Sequence, residues 1–423
     1  MKEKFLEGFI FDTSLTASNK QIMTKSQNTP WKKTRKFFND IHLWLGIGAG
    51  LVLFVVCLTG TIYTFYHEIE ETINADIYQV EVPQGASTLL LKDLVSSVEK
   101  TVEDGKASSI SIPADPEKAY AISVRKEGER RGTNYLINPY TGTVQGTSKT
   151  ASSEFFMVVF RLHRWLMLDT EIGRPIVGWS TVIFALLTLT GLIIWIPQKV
   201  KAWKQGLKIK WSASWKRVNH DLHNALGFYS AFILLIMSLT GLYWSFDWYR
   251  DGLYATFGVE RPTRGPRGGD EKKKEKQPLQ VTTLTLEDYL QVAHAELNYQ
   301  GDTRINLPTD NKPTVSIAKS KVGFFAVSGR DELTLDKMTA AVKKKELFSD
   351  EPLNHQIMHS IRSIHTGEIF GTFSKIIYFI SCLIATSLPV TGTIIWINKL
   401  KKKRARGKKK TKVAQKTPET VLA

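Results

Sequence analysis

Four apolar stretches punctuate the chain, at about 41–66, 176–197, 224–248 and 374–398, and none has an Asp, Glu, Lys or Arg in its central part. Crossing about 30 Å of hydrocarbon takes about 20 helical residues, so each stretch predicts a transmembrane helix. Phe65, Tyr66, Trp195, Trp244, Trp248 and Trp396 stand at their edges, where aromatic belts form. The segments between the first and second and between the third and fourth stretches, about 70–150 and 255–350, read differently. Leu89 to Thr101 and Leu284 to Leu297 carry apolar residues at helical spacing, and Tyr120 to Val124 and Val315 to Ala318 alternate with period two. Asn138-Pro139-Tyr140-Thr141-Gly142 is a turn signal. Each such segment is expected to fold as a small α+β module.

The order along the chain is an N-terminal segment 1–34, a first span 35–68, a first module 69–150 and an interfacial segment 151–173. A second span 174–198, a basic loop 199–219 and a third span 220–250 follow. The rest is a linker and second module 251–350, an interfacial segment 351–371, a fourth span 372–398 and a basic tail 399–423. Phe155 to Leu166 is amphipathic and is expected to lie along the membrane surface. Glu260 to Gln277, rich in Pro, Gly and Lys, reads as a solvated linker, and the tail is expected to be disordered after its first turn.

The two halves repeat one another. His42-Leu43-Trp44-Leu45-Gly46 opens a run that closes with Leu58-Thr59-Gly60, and His223-Asn224-Ala225-Leu226-Gly227 opens one that closes with Leu239-Thr240-Gly241; both spacings are 17 residues (59 − 42 and 240 − 223). His163 precedes the second span and Thr190-Gly191 by 190 − 163 = 27 residues, and His365 precedes the fourth and Thr391-Gly392 by 391 − 365 = 26. A unit of helix, outer module, His-bearing segment and helix is thus used twice in one orientation, related by a pseudo-twofold axis.

The formal net charge of +17 raises nucleic acid as a partner, but the distribution of charge argues against it. Lys32 to Lys36, Lys199 to Arg217 and Lys399 to Lys412 each flank an apolar stretch, the pattern of cytoplasmic anchors. Both termini are therefore expected in the cytoplasm and both modules outside, with the first helix as an uncleaved anchor, since the first 30 residues hold no cleavable signal pattern. Cys57 and Cys382 lie inside spans, so neither a disulfide framework nor a Cys-x-x-Cys-His haem attachment is available.

The histidines carry the candidate chemistry. His42 and His223 sit at the cytoplasmic ends of the first and third helices, and His163 and His365 form the matching pair on the outer side. Two neutral imidazoles facing one another across a twofold axis can ligate a haem iron from opposite faces, and the cysteine inventory makes that haem non-covalent. The competing reading is interfacial anchors inherited from one duplicated helix. His67 competes with His365 for the outer iron and His220 with His223; His294, His355 and His359 read as solvated. Gly60 and Gly241 near the outer ends, and Gly191 and Gly392 near the inner ends, would let a macrocycle or a backbone approach closely; ordinary small-residue packing is the alternative, as it is for Gly46 and Gly50. Arg161 and Arg362 recur beside the outer pair and are the better propionate candidates, with Arg35, Arg164 and Arg217 as further cations.

Four spans, a helix-then-strands module with the Asn138-Pro139-Tyr140-Thr141-Gly142 turn, and the His-x-Trp-Leu-Gly and Leu-Thr-Gly motifs resemble the PepSY-associated transmembrane family over roughly 35–400. The second module departs from the pattern, having Leu335-Asp336-Lys337-Met338-Thr339 in place of that turn. The resemblance implies a multi-pass protein of the bacterial inner membrane, with four transmembrane helices, two periplasmic PepSY-like modules and two b-type haems. It implies ferric-siderophore reduction in iron acquisition, with electrons passing from a quinol or a cytoplasmic reductase to a periplasmic acceptor. The chain has no G-x-G-x-x-G fingerprint of its own for a nicotinamide or flavin. A non-redox, membrane-anchored binding or regulatory protein is the contrasting expectation. A secondary transporter ranks last, because the helix centres lack ionisable residues and Pro389 is their only breaker.

Overall fold

The computed structural model describes residues 30–126, 132–197, 203–261, 282–308 and 312–414. Residues 262–277 of the expected linker and most of the N-terminal segment fall outside the described residues. Four long helices form where the apolar stretches predict them: α1 (Pro30–Tyr63), α6 (Thr170–Trp195), α8 (Trp215–Ser245) and α13 (Gly371–Ala414). All four are long and apolar enough to cross a membrane. α8 starts upstream of its apolar stretch, and α13 runs on through the basic tail to Ala414 rather than fraying after one turn, because that tail is rich in Lys, Arg and Ala, good helix formers.

Each long helix packs against two neighbours, in the cyclic order α1, α6, α8, α13, so that α1 and α8 face one another diagonally, as do α6 and α13. Ala49 and Leu53 of α1 pack on Leu187 of α6 inside the bundle, whereas Trp44, Leu51, Trp179 and Phe232 point outward, each more than half exposed. Water would not tolerate so much apolar surface; lipid does. This is a multi-pass membrane protein.

At one end of the bundle α1 leads through α2 (Tyr66–Ile73) and α3 (Ala75–Tyr78) into α4 (Leu91–Thr101) and strands β1 (Gly105–Ile112), β2 (Tyr120–Lys126), β3 (Thr133–Ile137) and β4 (Val144–Thr147). Helix α5 (Ala151–Trp165) then returns to α6, and the short α7 (Trp203–Gly206) precedes α8. The second half repeats the plan with α9 (Asp247–Phe257), α10 (Leu286–Glu296), β5 (Gly301–Asn306), β6 (Thr314–Lys321), β7 (Arg330–Asp336) and β8 (Val342–Glu346). Helices α11 (Leu353–His359) and α12 (Ile361–Thr366) lead into α13.

Each outer segment folds as a helix with four strands, and the two are joined in one antiparallel sheet of eight strands, ordered β4-β3-β2-β1-β5-β6-β7-β8. The halves join through β1 and β5, with Ile110 opposite Ile305 and Ser111 opposite Arg304. Leu94 and Val98 of α4, Tyr289 and Ala293 of α10, and the alternating Ile110, Ile122, Val124, Val315, Ile317, Leu333 and Leu335 form a single core on one face. Glu287 of α10 accepts the amide of Leu91 at the start of α4, and Arg304 donates to Ser109 Oγ at 2.8 Å, so polar contacts stitch the same seam.

The second module's departure from the turn motif is chemical rather than geometric. Asn138 Oδ1 accepts the amides of Tyr140 at 2.9 Å and Thr141 at 3.2 Å, and Asp336 Oδ1 accepts those of Met338 at 2.8 Å and Thr339 at 3.1 Å. Gly142 and Ala340 close the two turns with φ of 70° and 55°. A salt bridge from Lys343 at 2.6 Å and the turn amides hold the Asp336 carboxyl down to about 2. Left-handed backbone costs a residue with a Cβ about 1–2 kcal/mol, and a Cβ on Gly142 would lie 3.1 Å from Leu89 Cδ1. Gly142→Ala is therefore expected to destabilise the sheet by about 1–2 kcal/mol in chemical unfolding, while Ala340→Gly is expected to be neutral or stabilising.

Candidate functional site

The bundle brings the four repeated histidines together in two pairs. His42 of α1 and His223 of α8 face one another across the diagonal with ring centroids 6.3 Å apart and planes at 89°. His163 of α5 and His365 of α12 do so at 6.4 Å and 55° near the sheet end. α5 does not lie flat as its amphipathicity predicts. It runs antiparallel to the end of α1, with Phe156 on Tyr63 and Tyr66 and, seven residues on, His163 reaching Val56. The reason is its apolar face, Phe156, Val159 and Phe160, which finds α1 to pack on.

All four imidazoles are seated by the same device. The Nδ1 atoms of His42, His163, His223 and His365 lie 3.0, 3.4, 2.9 and 3.1 Å from the hydroxyls of Thr190, Thr59, Thr391 and Thr240 on a neighbouring helix. Each threonine hydroxyl already donates to the carbonyl four residues back, at 2.8, 2.7, 3.0 and 2.7 Å, so its oxygen is left as an acceptor. The carbonyl three residues before each threonine is the second acceptor: Val56 O at 2.9 Å for His163, Met237 O at 3.0 Å for His365, and Leu187 O and Leu388 O for His42 and His223. Nδ1 must therefore carry the proton in all four rings, and each Nε2 keeps a lone pair with no hydrogen-bond partner among the described residues.

The glycine after each threonine makes room for the ring. A Cβ on Gly191, Gly60, Gly392 or Gly241 would lie 3.3, 3.1, 3.2 or 3.1 Å from Cε1 of His42, His163, His223 or His365. These glycines thus admit the imidazoles. Gly46 and Gly227, each four residues beyond a paired histidine on the same helix face, instead line a cavity around the His42 and His223 pair, together with Gly50, Phe184 and Phe228. Asn39, His220, Asn224 and Lys399 supply the cavity's polar lining.

Two trans imidazoles on one metal, with bonds of about 2.0–2.1 Å and ring centres about 1.1–1.2 Å behind the ligating nitrogens, stand about 6.2–6.6 Å apart. Both measured separations fall in that window. No group of three or more His, Cys, Asp or Glu side chains suited to a metal gathers among the described residues, so a metal between either pair would take only two ligands from the protein. The remaining positions would belong to a group that brings its own donors. Val56 and Met237 lie 56 − 42 = 14 and 237 − 223 = 14 residues beyond His42 and His223, about 21 Å along α1 and α8, so the pairs lie toward opposite ends of the bundle.

The cations distribute differently from the sequence expectation. Arg161 is exposed and makes no side-chain bond among the described residues, and Arg362, also exposed, acts on Tyr63 and His67. Arg164, lying 5.5 Å from the Phe160 ring and 5.1 Å from that of Trp165, is the cation whose charge acts on both His163 and His365. Arg217 is ion-paired with Asp221 at 2.8 Å, and Arg35 is exposed. The ring facing His163 is that of His365; His67 is exposed beside Tyr66, with Glu68 and Glu368 near it. His220 is exposed and lies 3.6 Å from Asp221. His359 bonds Glu351 at 2.8 Å, and His355 lies 6.2 Å from it.

A family model described as the PepSY-associated TM region matches residues 40–399. The chain belongs to that family. No curated protein matches it. The PepSY-associated match runs from two residues before His42 to Lys399 and so spans both histidine pairs and the whole sheet.

The residues of the candidate site that sequence reasoning does not single out in this PepSY-associated chain are the four threonines and Lys399. The threonines were visible as a fourfold Thr-Gly repeat, but helix spacing alone does not show which neighbouring side chain a hydroxyl meets. For a metal held between His42 and His223, Thr190→Val, which keeps shape and removes the acceptor, is expected to weaken its binding by about 10–100-fold, with Thr190→Ser close to wild type. Titration of the reconstituted protein with cofactor checks this.

Proposed function

We propose that the chain holds two b-type haems, one between His42 and His223 and one between His163 and His365, and carries electrons across the bacterial inner membrane. The observation that supports this most directly is the facing of two imidazole pairs at 6.3 and 6.4 Å, with all four Nδ1 protons committed to threonine and carbonyl oxygens. When bound, each haem supplies a one-electron carrier. The protein's part is to keep the rings neutral and fixed: the threonine and carbonyl acceptors hold each Nδ1 proton in place, and so preserve the Nε2 lone pair. The apolar helices around them exclude water. Lys399 with Asn39 and Asn224 on one side, and Arg164 on the other, are the groups offered to carboxylates of the bound cofactor.

Basic flanks at Lys32 to Lys36, Lys199 to Arg217 and Lys399 to Lys412 favour a cytoplasmic location for the termini and, with it, a periplasmic sheet. Electrons would enter from a quinol or a cytoplasmic reductase near the His42 pair and leave near the His163 pair. A periplasmic ferric chelate, a ferric siderophore by family resemblance, would be reduced from ferric to ferrous iron by one electron. Ferrous iron binds hard-oxygen chelators weakly, so reduction releases it.

Proteoliposomes with a reductant trapped on one side and a ferric chelate with a ferrous-specific dye on the other test the proposal. Ferrous iron is expected only with the haem-loaded protein, and with its sheet facing the chelate. A purified preparation with no haem absorption band would overturn it in favour of a membrane-anchored binding or regulatory protein.

A further inference from the structure

The β6–β7 hairpin ends in Val322-Gly323-Phe324-Phe325-Ala326-Val327, an apolar loop at the tip of an otherwise soluble strand pair. Val322, Phe324, Phe325 and Val327 are 43–68% exposed. The corresponding β2–β3 connection reads Glu127-Gly128-Glu129-Arg130-Arg131, so the apolar tip belongs to the second half alone.

Several bonds fix this loop to the first turn of α13. Phe324 O accepts the amide of Phe373 at 3.1 Å, one of the helix's unpaired N-terminal donors, and the amide of Ser328 donates to Ile369 O at 2.9 Å. Val327 bridges Phe370, and Ser328 Oγ meets Ser363 Oγ at 2.6 Å. Gly371 has φ of 61°, and a Cβ there would lie 2.6 Å from Gly323 O and 2.8 Å from Phe324 O, so the loop backbone rests directly on the start of the helix.

The exposed side chains continue the exposed apolar face of α13. Phe325 lies 5.3 Å from Phe373 and 4.8 Å from Phe324. Below Phe373 the same stripe of α13 runs through Ile376, Ile377, Ile380 and Leu383, at helical spacing and all 39–54% exposed. The loop therefore sits at the level where α13 enters the membrane, as the upper end of its lipid-facing stripe. We propose that Phe324 and Phe325 insert into the lipid leaflet on the sheet side and anchor the second half of the sheet to the bilayer. The occupant is lipid hydrocarbon, which the continuity with the α13 stripe favours over a protein partner.

The test is spin-label accessibility in proteoliposomes. Phe325→Cys is made in a Cys57→Ser, Cys382→Ser background and labelled, with Lys344→Cys on the exposed edge strand β8 as the aqueous reference. At position 325, collisions with oxygen, which concentrates in lipid, are expected to exceed those with a water-soluble nickel chelate by several-fold, and at 344 the order should reverse. Val322→Cys supplies a second position should Phe325→Cys fail to fold. If the nickel chelate dominates at 325 or 322, the loop is in water and the proposal fails. If the label is immobile and reached by neither reagent, a protein surface covers it, and the proposal fails equally.

Discussion

His42→Ala is expected to purify with one haem per chain instead of two, and His163→Ala likewise, with the double variant holding none. In the proposed sites each pair would supply both protein ligands, so removing one imidazole would leave that haem a single protein partner, while the neighbouring pair, about 21 Å along the bundle, would be untouched. Haem quantified per chain by reduced-minus-oxidised spectra checks this. If both single variants kept two haems, the paired histidines would not be the ligands.

Gly60→Val is expected to remove the haem of the His163 pair and leave the other in place. A Cβ at Gly60 alone would stand 3.1 Å from His163 Cε1, and the branched side chain of valine would push the ring out of its seat. Gly60→Ala should weaken that site without abolishing it. Helix propensity predicts the opposite trend for stability, since alanine in a helix interior is favoured over glycine by about 1 kcal/mol. A variant that melts no lower than wild type yet has lost one haem would separate ligand seating from general unfolding. An unchanged haem content for Gly60→Val would refute the seating role.

Much of this was legible in the chain. The spans follow from their apolar length, and the pairing of His42 with His223 follows from equal 17-residue spacings, which the bundle explains: each of α1 and α8 carries a histidine of one pair near one end and a threonine-glycine seat for the other pair near its opposite end. Fusion of the two modules was not legible, because Ile110 and Ile305 look like ordinary strand residues and nothing local marks a strand edge that will find its partner 305 − 110 = 195 positions away. The turn at Asp336 was hidden for another reason. An aspartate can accept the same two amides as Asn138, and a buried alanine can hold the left-handed position that a glycine holds without strain. Recurrence in the sequence points to Arg161, whereas the face of α5 leaves Arg161 exposed and sets Arg164 against Phe160 and Trp165, which a repeat pattern alone does not show.

The antiparallel joint between β1 and β5 has an implication for ancestry and assembly. A polypeptide carrying one repeat would expose a first strand able to pair with that of an identical molecule, and would contribute one imidazole to each of two incomplete sites. Two such molecules docking edge to edge would complete both sites at once, as an isologous homodimer. Joining two copies in one chain would remove the dependence on concentration and free each copy to change separately; the phenylalanine loop, found in the second half and not the first, is the kind of difference that freedom would allow.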